Sequence, residues 1–500
     1  MAIYERHEPE KTLLYKAIAR HWPGIVRDYA ERDVRIAPHV VSEFDRYLRC
    51  GILQHGFLLL TCPFCDEERI VAWSCKCRGF CSPCGSRRMA QKALRLEKEV
   101  WPEADARQWV LTFPMQVRRW LAHSSDLLSA VNRLVTDEIS KFYIARTPDL
   151  DDEARASDPA TGGITFIQRF NSALALSTHL HIVFMDGVWA RHKGEHRFFP
   201  YPEMTTQDVM DVLFGIERRL ERLFRRKGLI RGQGADVEEV PQEAVPAPFV
   251  PRQPKAYRRK GGFKTPYWDD IDRNVMTEMG YCNATYKWLS LHAGVYVLGD
   301  DREGLSTLLR YTSRSAVSPS RLSYVNPDEP ETSHIRLALK RAWSDGTREL
   351  EFSQVDMVER LAALVPEPWS NLTRYHGIFA PGHAWRDFIV PGRRHLPRTM
   401  SMETEMREAT VGDDQSTTKK KSASGRAPAE YWIPWAEMLS ITFGLHPEIC
   451  TCGAKMGVTS VVTETVGIQE MMKKMGLAPM PPPRGRSAVP AGELDYMFED

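Results

Sequence analysis

His179-Leu180-His181, inside the run ALSTHLHIVFMDG, constrains this chain more than any other segment. Side chains two apart on a β-strand point to the same face, so the two imidazoles can hold one metal ion on the floor of a sheet. Leu176, Leu180, Ile182 and Phe184 take alternate positions and are expected to face a core. A surface or structural pair of histidines would give the same tripeptide. The remaining sequence has to say whether a metal is used, and for what.

The 500 residues are 43% hydrophobic and 26% charged, the composition of a soluble globular chain of about three domains. A net charge of +2 makes no general case for nucleic acid. Local charge does, because Arg78–Arg95 and Arg252–Lys264 carry only basic charges. Solvated faces or a basic loop would read the same way. No stretch approaches the roughly 18 apolar residues of a membrane span, and the start MAIYERHEPEKTLL lacks the apolar core of a signal peptide. The ten cysteines are clustered, which suits metal thiolates in a reducing cytosol, so a cytoplasmic protein is expected.

Texture divides the chain at 1–104, 105–315, 316–405, 406–430 and 431–500. The first unit is helical and holds the cysteines, followed by a helix pattern over Ser86–Val100. The second reads as strand Gln108–Phe113, helical Trp120–Phe142, strands Gly163–Phe170 and Leu174–Met185, and helical Val209–Lys227. A loop rich in Pro, Gly and basic residues occupies 232–266. Strand Leu291–Leu298 and a short helix Glu303–Tyr311 follow it. The third unit mixes strands with the helix Val355–Leu364. The polar run 406–430 has the composition of a disordered linker, and a small unit closes the chain before a Pro-rich tail at 479–491.

Cys62-Pro-Phe-Cys65 and Cys81-Ser-Pro-Cys84 give C-x2-C-x15-C-x2-C, the spacing of a four-sulfur zinc site. Four thiolates leave no open position for substrate, so the zinc is structural. Cys50, Cys75 and Cys77 are nearby alternatives. The helix that follows carries Arg87, Arg88, Lys92 and Arg95 and can read DNA, or can merely clamp the next domain.

A metal on a sheet beside basic surface suggests phosphodiester chemistry, and Leu309-Arg310-Tyr311-Thr312-Ser313-Arg314 offers a nucleophile. Leu305, Leu308 and Leu309 form the apolar stripe of a helix with Tyr311 at its edge. Arg310 and Arg314 supply cations for phosphate. A tyrosine that only closes a helix against the core would look alike.

The runs GFLLLTCPFC, SCKCRGFCSPCGSRRMA, RQWVLTFP, ITFIQRFNSALALSTHLHIVFMDGV, LSLHAGV, LLRYTSRSAVSPSRLS and DGTRELEFSQVDMVERLAALVPEPWSNLTRYHGIFAP cover most of residues 45–390. A weaker WAEMLSITFGLHPEICTCGAKMGV follows them. In this order they resemble the transposases of the insertion-sequence-91 family, rolling-circle enzymes of the HUH endonuclease class, and in particular those of common-region elements.

The resemblance implies an α+β fold, with an HUH core made of a central antiparallel sheet flanked by helices. An N-terminal zinc-binding domain precedes the core and a C-terminal accessory region follows it. It implies that His179 and His181 hold Mg2+ or Mn2+ and that Tyr311 attacks single-stranded or hairpin DNA at element ends, leaving a 5′-phosphotyrosine. Hard cations need further oxygen ligands, and Gln168 on the neighbouring strand is the candidate, unless it is a strand-edge amide. Arg169 is a candidate phosphate contact or a member of a structural ion pair, Asp186 a turn cap or a support for a histidine; His292 lies in a matching run, and His376 is structural or DNA-contacting.

Some family members carry a second tyrosine one turn earlier, where this chain has Thr307. It therefore resembles the one-tyrosine branch, with Tyr286, Tyr296 and Tyr375 as lesser candidates for a helper. Relatives more often show C-x2-C-G-G where this chain has Cys450-Thr-Cys452-Gly453, a poor half-site for a second zinc. Tyr257, Phe263 and Trp268 could stack on bases. A homo-oligomer is compatible with all of this. The alternatives are a zinc-dependent DNA-binding regulator with an inert H-x-H, a related HUH replication initiator or relaxase, and a hydrolytic metalloenzyme that forms no adduct.

Overall fold

Helix α1 (Leu13–Glu31) places Leu14, Ile18, Trp22, Ile25 and Tyr29 on one buried stripe, the spacing of an amphipathic helix. It starts where the Thr12 hydroxyl accepts from the backbone N–H of Tyr15. Trp22 stacks on Phe44 of α2 (Pro38–Arg49), with ring centroids 3.8 Å apart. Hairpin β1 (Phe57–Thr61) and β2 (Glu68–Ala72) follows, then α3 (Ser82–Arg95). That helix starts four residues before the expected Ser86, with a proline in its first turn. These are the first elements of a computed structural model that describes residues 7–231, 238–239, 277–314, 317–343, 345–393 and 434–477.

The expected helical stretch Trp120–Phe142 is two helices. Between β3 (Ala106–Thr112) and the next strand lie α4 (Met115–His123) and α5 (Ser125–Arg146). Ser124 breaks them apart by leaving helical geometry and capping the backbone N–H of Leu127. Strands β4 (Gly162–Phe170) and β5 (Leu176–Met185), hairpin β6 (Gly187–His192) with β7 (Glu195–Pro200), and α6 (Thr206–Arg226) come next. Then follow β8 (Thr277–Glu278), β9 (Asn283–Tyr286), β10 (Leu289–Val297) and α7 (Arg302–Thr312).

Beyond α7 lie β11 (Leu322–Tyr324), β12 (Ile335–Ala338), β13 (Glu349–Phe352), α8 (Gln354–Leu364) and β14 (Thr373–Gly377). The described residues end with α9 (Trp435–Phe443), β15 (Gly457–Val462) and α10 (Thr465–Lys474).

Seven strands make one sheet in the order β8-β9-β10-β3-β5-β4-β14, each neighbouring pair antiparallel. The histidine strand β5 is internal to it. Leu180, Ile182 and Phe184 pack with Trp109, Leu111 and Ile167 beneath α5 and α6. On the other face Ile164, Phe166, Val183 and Met185 pack against Leu305, Leu308 and Leu309 of α7 and against the end of α3. The period-2 alternation read from β5 thus sends its histidines to the α7 face. Gly163 is required where it stands, because a Cβ there would lie 2.3 Å from the Phe184 ring.

The expected divisions at 315/316 and 430/431 do not separate cores. Sheet β11-β12-β13 and α8 share one apolar core with α1 and α2. Strand β14 forms the edge of the main sheet, and β15 pairs with β1. Composition marks where polar linkers lie, but pairing is chosen by which edges and apolar faces are free. Apart from 238–239, the 232–266 loop lies outside the described residues, as do the 406–430 linker, the 479–491 tail and Tyr257, Phe263 and Trp268.

Candidate active site and metal centres

His179 and His181 leave β5 on one side, with ring centroids 5.0 Å apart. Nδ1 of His179 lies 2.8 Å from the Ser177 carbonyl. A carbonyl only accepts, so Nδ1 carries the hydrogen and Nε2 keeps its lone pair. Nδ1 of His181 lies 2.9 Å from the side-chain amide of Gln108. As placed, the amide nitrogen donates to Nδ1 and the hydrogen sits on Nε2; for Nε2 of His181 to bind a metal, the Gln108 amide would have to present its oxygen instead. Burial pushes both histidines down, His181 to about 3 with help from His179 and Arg314. Both are therefore neutral at pH 7, the form that can bind a metal.

Gln168 is directly opposite His179 in the β4–β5 ladder. Its Nε2 donates to the Thr312 carbonyl at 3.0 Å, and its Oε1 is buried with no hydrogen-bond partner among the described residues. An orphaned acceptor beside two imidazoles fits the third donor of a divalent-metal site. Gln108 is a support that the sequence reading missed. The available signal was a glutamine on the buried strand β3.

Tyr311 ends α7, where Leu305, Leu308, Leu309 and Thr312 are buried and the tyrosine is 49% exposed. Its ring centroid is 6.3 Å from that of His181, edge to face. The Arg314 guanidinium carbon lies 4.6 Å from the tyrosine ring centre and Lys340 Nζ 5.9 Å. Lys340 follows β12 and was also missed, because its approach is tertiary. Ser313 Oγ, Arg310 Nε and Arg314 Nη1 are buried without partners among the described residues.

The expected DNA-reading helix turns much of its charge inward. Arg88 donates to the carbonyls of Cys77 and Lys76, and Lys92 donates to Thr373 Oγ1 at 2.6 Å. Burial lowers Lys92 to about 8. These two residues brace the cysteine loop and β14 in the DNA-free chain; a basic run shows charge but not its partners. Arg87 lines a cavity of about 830 Å³ beside Cys84. Arg169 points away from Gln168, its Nη2 3.5 Å from the Ala122 carbonyl, and so lies off the tyrosine site. Asp186 is neither a turn cap nor a support for a histidine. It is fully buried, paired with Arg107 at 2.7 Å, and accepts from the Tyr143 hydroxyl at 2.6 Å.

The cysteines form two clusters rather than one. Cys81 and Cys84 join Cys50 and Cys75, while Cys62 and Cys65 join Cys450 and Cys452. Sulfur–sulfur separations are 3.5–3.7 Å in the first cluster and 3.4–3.6 Å in the second. Tetrahedral zinc with bonds of about 2.3 Å requires about 3.8 Å between sulfurs, and a disulfide about 2.05 Å. Both clusters therefore have the shape of a zinc site.

The grouping Cys62, Cys65, Cys81 and Cys84 is corrected. The turn after β1 aims its knuckle at Ile449–Lys455, whereas Cys81 and Cys84 open α3 against Cys50, at the end of α2. Cys450 and Cys452 can act together because Gly453, at φ +87°, turns the loop so that its N–H bonds back to the Cys450 carbonyl. Buried Arg69 fastens this loop by donating to the carbonyls of Pro447 and Ile449. The Cys77 sulfur points instead at the Glu43 carbonyl.

Two family comparisons agree with this arrangement. The Y2_Tnp transposase family matches residues 162–386, which hold both histidines, Gln168 and Tyr311. The transposase zinc-binding domain Zn_Tnp_IS91 matches residues 18–113, which hold six of the eight clustered cysteines. No curated protein and no solved structure matched. An α/β protein with an antiparallel sheet and a zinc-binding N-terminal region, matched in this way, is a DNA transposase. It belongs to the insertion-sequence-91 type. Its zinc is structural, since each cluster offers four thiolates. Among the described residues no helix is long and apolar enough to cross a membrane.

Proposed function

We propose that this transposase nicks and rejoins single-stranded DNA at element ends through Tyr311, by the rolling-circle route of one-tyrosine HUH enzymes. One observation carries the reading: Tyr311 and His181 meet edge to face, 6.3 Å between ring centroids, on the face that also holds His179 and Gln168. Nε2 of each histidine and Oε1 of Gln168 would hold Mg2+ or Mn2+, which when bound supplies Lewis-acid polarisation of the scissile phosphate.

The chain's own groups account for the rest. The Tyr311 hydroxyl releases its proton to solvent as its oxygen attacks phosphorus, and the bond from phosphorus to the 3′-oxygen breaks. That oxygen takes up a proton, and the 5′-phosphate stays esterified to tyrosine. Arg314 stands beside the Tyr311 ring, where its charge offsets that building on phosphate. The ester conserves the bond energy, so a later 3′-hydroxyl can displace Tyr311 and rejoin DNA without a nucleotide cofactor. A half-exposed tyrosine at a helix end reaches a flexible single strand or hairpin more readily than a phosphate inside a stacked duplex.

The test is a denaturing gel of the protein incubated with Mg2+ or Mn2+ and fluorescent single strands carrying the element ends. A protein-sized fluorescent band that needs the metal and is lost in Tyr311→Phe and His179→Ala is expected. Cleavage without an adduct would replace the reading with hydrolysis. Zinc-dependent binding without cleavage would leave a DNA-binding regulator.

A further inference from the structure

The face of the sheet turned away from Tyr311 is largely apolar, with the buried Arg107–Asp186 pair at one place and a second polar corner elsewhere. There, between α5 and the edge strand β14, lies a cavity of about 560 Å³ whose lining includes Asn132, Thr136, Arg374 and His376, with Arg133 and one acid, Asp137, at the α5 side. Arg374 and His376 pair with Thr165 and Gly163 of β4, so they alternate to the face opposite Thr373 and Tyr375.

This polar corner is a built site. The His376 ring is held by Asn132 at 3.3 Å, Thr165 at 3.0 Å and Thr136 at 3.4 Å. Burial pushes His376 down to about 4, so at pH 7 the neutral ring has one donor and one acceptor, and both are engaged by these neighbours. Asn132 is 1% exposed, yet its Oδ1 has no partner among the described residues. A buried amide oxygen left unpaired calls for a donor that the described residues do not supply, such as water or a ligand N–H. At the rim, Arg374 donates to Ser129 Oγ at 2.8 Å. Neither Arg374 nor the neighbouring Arg133 is ion-paired among the described residues. A guanidinium pair above a pocket with an unfilled acceptor asks for an anion joined to a planar N–H donor.

We propose that this pocket takes one unstacked nucleotide of the single-stranded DNA substrate, with its phosphate at Arg374 and Arg133 and its base edge at the unpaired Asn132 Oδ1, which His376 helps to hold in place. Every DNA base carries an N–H on its pairing edge, and the cavity is of the size that holds small ligands. The strand can reach it. From β5 to the edge strand β14 is two strand spacings, about 10 Å, and α3 covers β14 on the tyrosine face, so DNA held at Tyr311 would pass over α3 and round β14. The proposal rests on the single-stranded DNA reading above, and its site shares no residue with the tyrosine centre.

The test uses the full chain and fluorescein-labelled random-sequence single strands, without added Mg2+ or Mn2+. Anisotropy is followed against salt, and short-wavelength ultraviolet crosslinks are mapped by mass spectrometry. Arg374→Gln and Asn132→Leu are expected to weaken binding about tenfold, with Arg374→Gln reducing the salt slope by about one phosphate contact. In the unmodified protein, crosslinked peptides should fall within 129–140 or 371–380, a readout that does not depend on a variant folding. Binding at unchanged strength by both folded variants, or crosslinks only elsewhere, overturns the pocket and leaves the tyrosine chemistry standing. Failure of the unmodified chain to bind any single strand overturns both.

Discussion

The Gln168 side chain spans from β4 to the last turn of α7, its Nε2 3.0 Å from the carbonyl of Thr312. One amide thus ties the strand opposite His179 to the residue after Tyr311. It fixes the helix end against the sheet and leaves its oxygen turned inward and unpaired.

Gln168→Leu keeps the volume but removes both functions. Adduct formation should fall roughly 10- to 100-fold, as when a metal site's supports are lost. Stability should drop by about 1–3 kcal/mol, because the Thr312 carbonyl loses its donor. Rates from the gel assay and urea unfolding check the two effects separately. An unchanged adduct rate would remove Gln168 from the site.

Tyr311→Phe separates chemistry from structure. Half the tyrosine surface faces solvent, and the ring contact with Arg314 does not need the hydroxyl. The adduct should vanish, while stability changes by less than about 0.5 kcal/mol. A large loss of stability would mean that the tyrosine closes the helix structurally.

Two tetrathiolate clusters predict two zinc ions per chain, measurable by elemental analysis of the purified protein. Cys450→Ser should lower the count to one and expose residues 434–477 to protease, because the second cluster joins positions 385 residues apart in sequence. Cys81→Ser should be far more damaging, since its cluster is buried in the core shared by α1, α2 and α8. Equal zinc content in Cys450→Ser and the parent would refute the second site.

Acid should destabilise the fold through His181. Its folded pKa, about 3, lies below the ordinary histidine value, so the unfolded chain takes up a proton that the native one refuses. The stability it contributes is complete above about pH 6.5 and declines as pH falls toward 3, by up to about 1.4 kcal/mol per unit. The pH dependence of urea unfolding in His181→Asn should be shallower than in the parent by that amount. Identical slopes would show that the imidazole is accessible to protons in the folded state.

Much of the tyrosine centre was legible along the chain. Period-2 alternation in Leu176–Met185 placed His179 and His181 on one face, and Leu305, Leu308 and Leu309 placed Tyr311 at the edge of a helix. Gln168 could be suggested because it lies on the strand next to the histidines. Gln108 and Lys340 could not be found, because their nearness to His181 and Tyr311 comes from the packing of β3 and β12.

By itself, then, the sequence determined the periodic elements, the residue types that can bind a metal or carry a phosphate, and the resemblance to transposases. These depend on neighbours a few positions apart. Only the tertiary structure decided partners. It sent Cys62 and Cys65 to Cys450 and Cys452, tied Arg88 to the cysteine loop, buried Lys92 beside Thr373, and made β14 the sheet edge beside the second pocket. A C-x2-C spacing sets the bite of two thiolates, but which second pair completes the tetrahedron depends on where the hairpin points. A lysine's charge is likewise fixed by its chemistry, and its burial by the elements that close over it.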